Sequence, residues 1–279
     1  MLSLFRLSKY MRILLIVISS FIFLQLPAQE GIEYGGHAGV AYYFGDLNTN
    51  YDLSRPGYVV GLKFRRNYNE RLSLTAGLDY GLIRGADGNS NNAFERSRNL
   101  DFHSQIIDGS LTLEFNFFPY IHGSEEEFYT PYIFGGLALI SYNPKTTLDD
   151  VTYDLRDFGT EGQFAGGEYG SLTAAFVFGF GFKWDINRDW SHNAQISGRS
   201  VFTDYIDDVS QNYADPFTLA AQRGQIAPFL ANRSLDPEFG RPGTQRGNGK
   251  SNDIIYYVSI GIMRYIGQLK CPPISKIRG

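Results

Sequence analysis

Cysteine is almost absent from this chain of 279 residues: Cys271 is the only one. That excludes an internal disulfide framework and any multi-cysteine zinc site. Basic residues are in the minority, 25 Lys and Arg against 29 Asp and Glu, so the basic face of a nucleic-acid binder is missing. Charged residues make up only 19% of the chain, and a sequence so poor in charge and rich in aromatics does not fit disorder. Apolar patterns of period 3.6 are nearly absent, so no helical layer is expected. The longest apolar run, at 13–26, falls short of the roughly 20 residues a spanning helix needs. What the chain has instead is 31 Gly, 22 Phe and 19 Tyr, the composition of a β-rich exported protein.

Residues 1–28 read as a signal peptide. They carry Arg6, Lys9 and Arg12 with no acid, then the apolar run, then Pro27 and Ala28. No cysteine follows the expected cleavage point, so a lipoprotein is excluded. The mature chain is more acidic than the whole.

Beyond this address the dominant pattern has period 2. In 172–184, Leu172, Ala174, Phe176, Phe178, Phe180, Phe182 and Trp184 alternate with small residues and Lys183. The same alternation runs through 58–67, 72–82 and 108–118, and further strands are expected at 33–44, 131–142, 190–202 and 254–266. These eight strands are longer than those of soluble sheets, and their polar faces are rich in Gly, Ser and Thr. Tyr34, Tyr42, Phe44, Tyr58, Trp184, Trp190, Tyr257 and Tyr265 fall near strand ends, as in aromatic girdles. Connections of roughly 13, 4, 25, 12, 28, 5 and 51 residues alternate long and short, as in outer-membrane barrels. The expected fold is all-β: an eight-stranded antiparallel transmembrane outer-membrane β-barrel over 29–266. Its termini would be periplasmic, its long loops extracellular, and 267–279 a periplasmic tail.

Lys63, Arg65, Asp79, Glu114, Lys183 and Arg199 fall on the inward faces. Charges of both signs admit a catalytic or conducting constellation. A paired network filling a barrel too narrow for an open pore is favoured, because lone lumen charges are costly to bury. His37, His103, His122 and His192 lie on separate segments without metal-ligand spacing, so no metal is expected. His103 beside Ser104 is the best pair for a lipid-modifying enzyme, but it lacks an acid partner. The turn holding Asp204, Asp207 and Asp208 lacks the EF-hand pattern and reads as a solvated acidic turn. It opens a final loop of about 51 residues, long enough to be functional or ordered over the barrel mouth.

Several segments resemble the PorG family, the outer-membrane barrel component of the type IX secretion (Por) system. They are Tyr43-Phe44-Gly45-Asp46-Leu47-Asn48, Thr203-Asp204-Tyr205-Ile206-Asp207-Asp208-Val209-Ser210 with Tyr213, Arg246-Gly247-Asn248, Lys250-Ser251-Asn252-Asp253, and Cys271-Pro272-Pro273. The resemblance implies a non-enzymatic barrel that anchors a periplasmic ring of a PorK-like lipoprotein and PorN-like proteins, coupled to an inner-membrane motor of PorL and PorM. Outer-membrane lipids would be its other partner, with no cofactor, nucleic acid or small-molecule substrate. A basic tail bearing Lys270, Cys271 and Lys276 beside the acidic turn Glu125, Glu126 and Glu127 is the expected docking element. The competing readings are a passive or ligand-binding barrel and, behind it, a lipid-modifying enzyme.

Overall fold

The computed structural model describes residues 31–267, apart from Pro237. The expected signal peptide, and the tail with Lys270, Cys271 and Lys276, lie outside the described residues.

Eight long strands form the wall: β1 (Gly31–Phe44), β2 (Gly57–Asn67), β3 (Leu72–Ala86), β4 (Asp101–Asn116), β5 (Tyr129–Leu148), β7 (Leu172–Asp185), β8 (Trp190–Val201) and β9 (Ile254–Gly267). A short β6 (Val151–Asp154) adds only a hairpin arm to β5. Each wall strand pairs antiparallel with its neighbours, and β1 pairs with β9 from Gly31↔Gly267 to Phe44↔Ile254. With β4 also paired to β5, the eight-stranded wall has no free edge and is a closed barrel.

Alternation decides which side each residue takes. Leu62, Leu78, Leu111, Leu137, Phe180 and Ile260 stand on the outside, each more than half exposed. Their neighbours Arg65, Asp79, Thr112, Ala138, Lys183 and Ser259 are buried in the lumen. Tyr257 and Tyr265, expected in an outer aromatic girdle, point inward instead and are buried. Their odd register positions on β9 put them on the lumen face, which proximity to a strand end could not reveal.

The connections 68–71, 117–128 and 186–189 close one end, where β1 starts and β9 finishes. The two tight turns share one device. Asn69 accepts from the backbone N–H of Arg71 and Leu72, and Asn187 from those of Asp189 and Trp190. The opposite end carries 45–56, 87–100, 149–171 and 202–253.

Two expectations need correction. Strands β3, β4 and β5 run past the apolar belt, to Ala86, from Asp101 and to Leu148. Outward residues there are Arg84, His103 and Lys145, so the alternation that marks the belt disappears while the backbone ladder continues. Helices also occur: α1 (Ala93–Arg98), α2 (Leu155–Phe158), α3 (Pro216–Arg223) and α4 (Ala227–Ala231). Each is too short to print a period, and caps carry the signal. Asn92 caps α1 by accepting from Phe94 N–H, and Asp215 caps α3 by accepting from Thr218 N–H.

Candidate functional site

The lumen is filled by side chains in two tiers. In the tier nearer the short turns, Arg65 reaches Glu33 at 2.8 Å and Glu114 at 2.9 Å, and Lys183 holds Glu114 at 2.8 Å. Thr75 donates to Glu114 at 2.6 Å, and Asn67 to Glu33 at 2.8 Å. Lys183 also lies 4.5 Å from the centre of the Tyr132 ring. In the second tier Arg199 pairs with Asp79 at 2.9 Å and with Asp108, while its guanidinium sits 3.7 Å from the Tyr257 ring centre. His37 lies 3.2 Å from Asp79. This pair needs Gly61, because a Cβ there would come within 2.0 Å of the Asp79 carboxylate. Lys63 donates to Gln195. All six charged residues named from the sequence therefore face the lumen. Glu33, Asp108, Tyr132 and Tyr257 were not named as lumen residues, although all four lie within the expected strands and the period-2 pattern carried through each strand would have placed them.

The short-turn mouth is closed by the 117–128 connection, which folds inward. His122 contacts Asp185 at 2.9 Å and Glu33 at 3.3 Å, and its ring stacks on Tyr265 at 4.2 Å. Tyr120 donates to Asp185 at 2.5 Å. Burial alone would lower the His122 pKa, but Asp185 and Glu33 outweigh it and raise it to about 9. A protonated imidazolium thus bridges turn and wall. Glu125 and Glu126 are exposed and Glu127 half-buried beside this clamp; Ser124 receives the N–H groups of Glu126 and Glu127.

At the other mouth the segments that carry the family resemblance converge. The Tyr43 hydroxyl lies 2.5 Å from Asp207 and 2.8 Å from Asp253. Asp253 accepts from Ile206 N–H, and Asp46 from Asn248 N–H at 2.7 Å. Arg98 donates to Asp87 and to the carbonyls of Asp46 and Arg246, tying three loops together. Arg246 donates to Glu161, Asp208 and the carbonyl of Ala231. Asp208, at φ 68°, is held in the left-handed region by these bonds and by Thr160 and Tyr169.

The expectation of a solvated acidic turn is thus overturned: Asp207 and Asp208 are fully buried and Asp204 nearly so. Loop–loop packing, invisible to local polarity, removes them from water. Burial pushes Asp208 up to about 6 against the pull of Arg246, and burial with Asp46 pushes Asp204 up to about 8. Burial and the neighbouring carboxylates raise Asp207 and Asp253 well above the usual range. One hydroxyl proton cannot serve both of these groups, so a proton held by the dyad supplies the second bond.

Among the described residues no group of three or more His, Cys, Asp or Glu is arranged to hold a metal ion. His103 faces outward whereas Ser104 is buried in the lumen, so that pair cannot act on one substrate.

The molecule therefore belongs to the class of closed eight-stranded antiparallel β-barrels with a packed lumen and an ordered cap. The chain belongs to the DUF6089 family, described as a domain of unknown function, whose match covers residues 9–218. No curated protein matches it in sequence. Similar solved structures include the outer membrane protein OprG from Pseudomonas aeruginosa, at 10% identity and a TM-score of 0.42 over 86% of this chain and 97% of that one. Neisserial surface protein A follows at 10% and 0.41, over 84% and 96%. The N-terminal β-barrel domain of Pseudomonas aeruginosa OprF stands at 13% and 0.36, over 85% and 98%. The barrel assignment rests on strand closure rather than on these likenesses.

Proposed function

We propose that this protein is a sealed outer-membrane anchor, with its long loops outside and its short turns in the periplasm. The observation that carries this reading is the lumen: among the described residues its charges are held in ion pairs, with Lys63 hydrogen-bonded to Gln195, and folded connections cover both mouths. The outer wall is a belt of exposed Leu, Ile, Val and Phe that water would not tolerate on this scale. Function then lies on the protein's surfaces and partners.

The resemblance to PorG directs the partner reading to the type IX secretion system. The barrel would hold a PorK-like lipoprotein and PorN-like ring proteins through its acidic turn at 125–127 and the basic tail with Lys270, Cys271 and Lys276. It would act without catalysis or cofactor. Cys271, the one thiol of an exported chain, would pair with a ring protein.

Co-purification from envelopes with the barrel tagged tests this. Recovery of ring proteins, with a reductant-sensitive heavier band lost in Cys271→Ser, is the expected result. A tagged barrel that purifies alone, together with a separate deletion strain that still displays cargo normally, would leave a passive envelope barrel.

A further inference from the structure

Arg84, His103 and Lys145 form one outward row across three adjacent strands. The ladder pairs Arg84 with His103 and His103 with Lys145. Strands lie about 4.8 Å apart, so the row spans roughly 10 Å. Two cations, Arg84 and Lys145, thus flank the imidazole of His103, and an anion lying across the row meets all three side chains. Lys145 is held by Asp154 at 2.7 Å, and the neighbouring Asp101 is taken by Arg233. The side chains of Arg84 and His103 make no hydrogen bond or ion pair among the described residues.

The surface below the row is concave. A cleft of about 470 Å³ opens beside Lys145, with Gln105, Asn143 and Arg156 at its upper part and Tyr80 and Ile107 at its floor. Asp154 and Asp157 also line it. Tyr80 and Ile107 also border a groove of about 900 Å³ in the apolar belt, where Gly36 and Ala38 leave a notch between Leu62 and Ile260. Four strand residues, about 13 Å, separate Arg84 from Tyr80. Cations at the rim, polar groups beneath and a long apolar trough thus follow one another down the wall.

We propose that this face binds a phosphorylated acyl-saccharide of the outer leaflet, a lipid of the lipid A class. Its phosphates lie across Arg84, His103 and Lys145, and an acyl chain fills the trough over Gly36. The cations stand at the long-loop end, which selects a lipid of the outer leaflet over a periplasmic-side phospholipid. This inference rests on the outer-membrane reading above and deepens it by naming the lipid.

The test uses the purified barrel, folded in neutral detergent, and native mass spectrometry with calorimetry. The probes are bisphosphorylated lipid A, its dephosphorylated form, phosphatidylglycerol and inorganic phosphate. Bisphosphorylated lipid A is expected to bind at least tenfold more tightly than the other three. Arg84→Glu should weaken it by about tenfold or more, the scale of one charge-assisted contact. Gly36→Leu should weaken it several-fold by filling the trough. A Cβ at Gly36 meets only ordinary contacts, at 3.5 and 3.9 Å, so the wall tolerates that change. Affinity within twofold of the parent in both variants would overturn the site. Equal binding of phosphatidylglycerol, or equally effective competition by inorganic phosphate, would overturn the assigned lipid. Failure of the outer-membrane reading looks different: the protein would show no heat-dependent shift on a gel and would not fractionate with envelopes.

Discussion

The two mouths of the barrel are closed by opposite chemistry. At the short-turn end a single cation, His122, sits between two acids, and the wall beneath it carries Arg65 and Lys183. At the long-loop end Asp46, Asp204, Asp207, Asp208, Asp253 and Glu161 crowd around two arginines, Arg98 and Arg246, so acids outnumber bases. The first closure is complete when its titratable group is charged. The second is complete when several of its groups stay neutral. The difference teaches that a small barrel can shut both ends with buried polar groups provided protons make up whatever ion pairs leave unpaired.

The largest effect should come from Arg65→Met. It strips Glu33 and Glu114 of a shared partner inside the wall, and removing one partner of a buried pair costs about 3–5 kcal/mol. Urea unfolding followed by the fluorescence of Trp184 and Trp190 reads this as a whole-barrel loss. Arg246→Met removes a comparable local interaction at the other end. It should loosen only the cap, giving proteolytic nicks within 202–253 while the heat-shifted barrel band persists. Equal loss of whole-barrel stability in both variants would show that the two ends are one cooperative unit and would break the comparison.

His122→Ala should cost about 1.5–3 kcal/mol, the range for hydrogen bonds to charged groups, and expose the 117–128 turn to protease. Tyr43→Phe at the opposite mouth should cost about 1 kcal/mol, because the Asp207–Asp253 dyad retains its own proton.

Alkaline pH should open both ends in a set order. His122 has a folded pKa near 9 against roughly 6.5 unfolded, so its contribution is full below about 6.5 and lost as pH rises through 9. Asp204 is raised to about 8 from roughly 3.9, so its contribution is full below about 4 and lost as pH rises through 8. Limited proteolysis across this range should nick the cap before the short-turn end. The reverse order would contradict the protonation states assigned to the two closures. The smallest effect belongs to Glu126→Gln, an exposed acid without an ion pair among the described residues, which should leave stability unchanged.

Much of the wall was legible because a half-buried strand writes its two faces into the sequence at every second residue. Leu62 and Lys63, or Phe182 and Lys183, declare opposite sides whatever their partners are. The lumen charges follow from the same rule, and so does the alternation of long and short connections. The strand extensions at Arg84, His103 and Lys145 were hidden, because above the apolar belt both faces meet polar surroundings.

The sequence by itself determined the number of wall strands, the sense of the residues in their strongly alternating stretches and the end that carries the long loops. It could do so because these depend on a local two-residue period. Only the tertiary structure decided that Asp207 and Asp208 are buried, that His122 plugs a mouth, and that the segments around Tyr43, Asp207, Arg246 and Asp253 meet. Those contacts join residues up to 210 positions apart, as between Tyr43 and Asp253. No local pattern encodes such a meeting; it arises when barrel closure brings β1 beside β9 and lowers four loops onto the same opening.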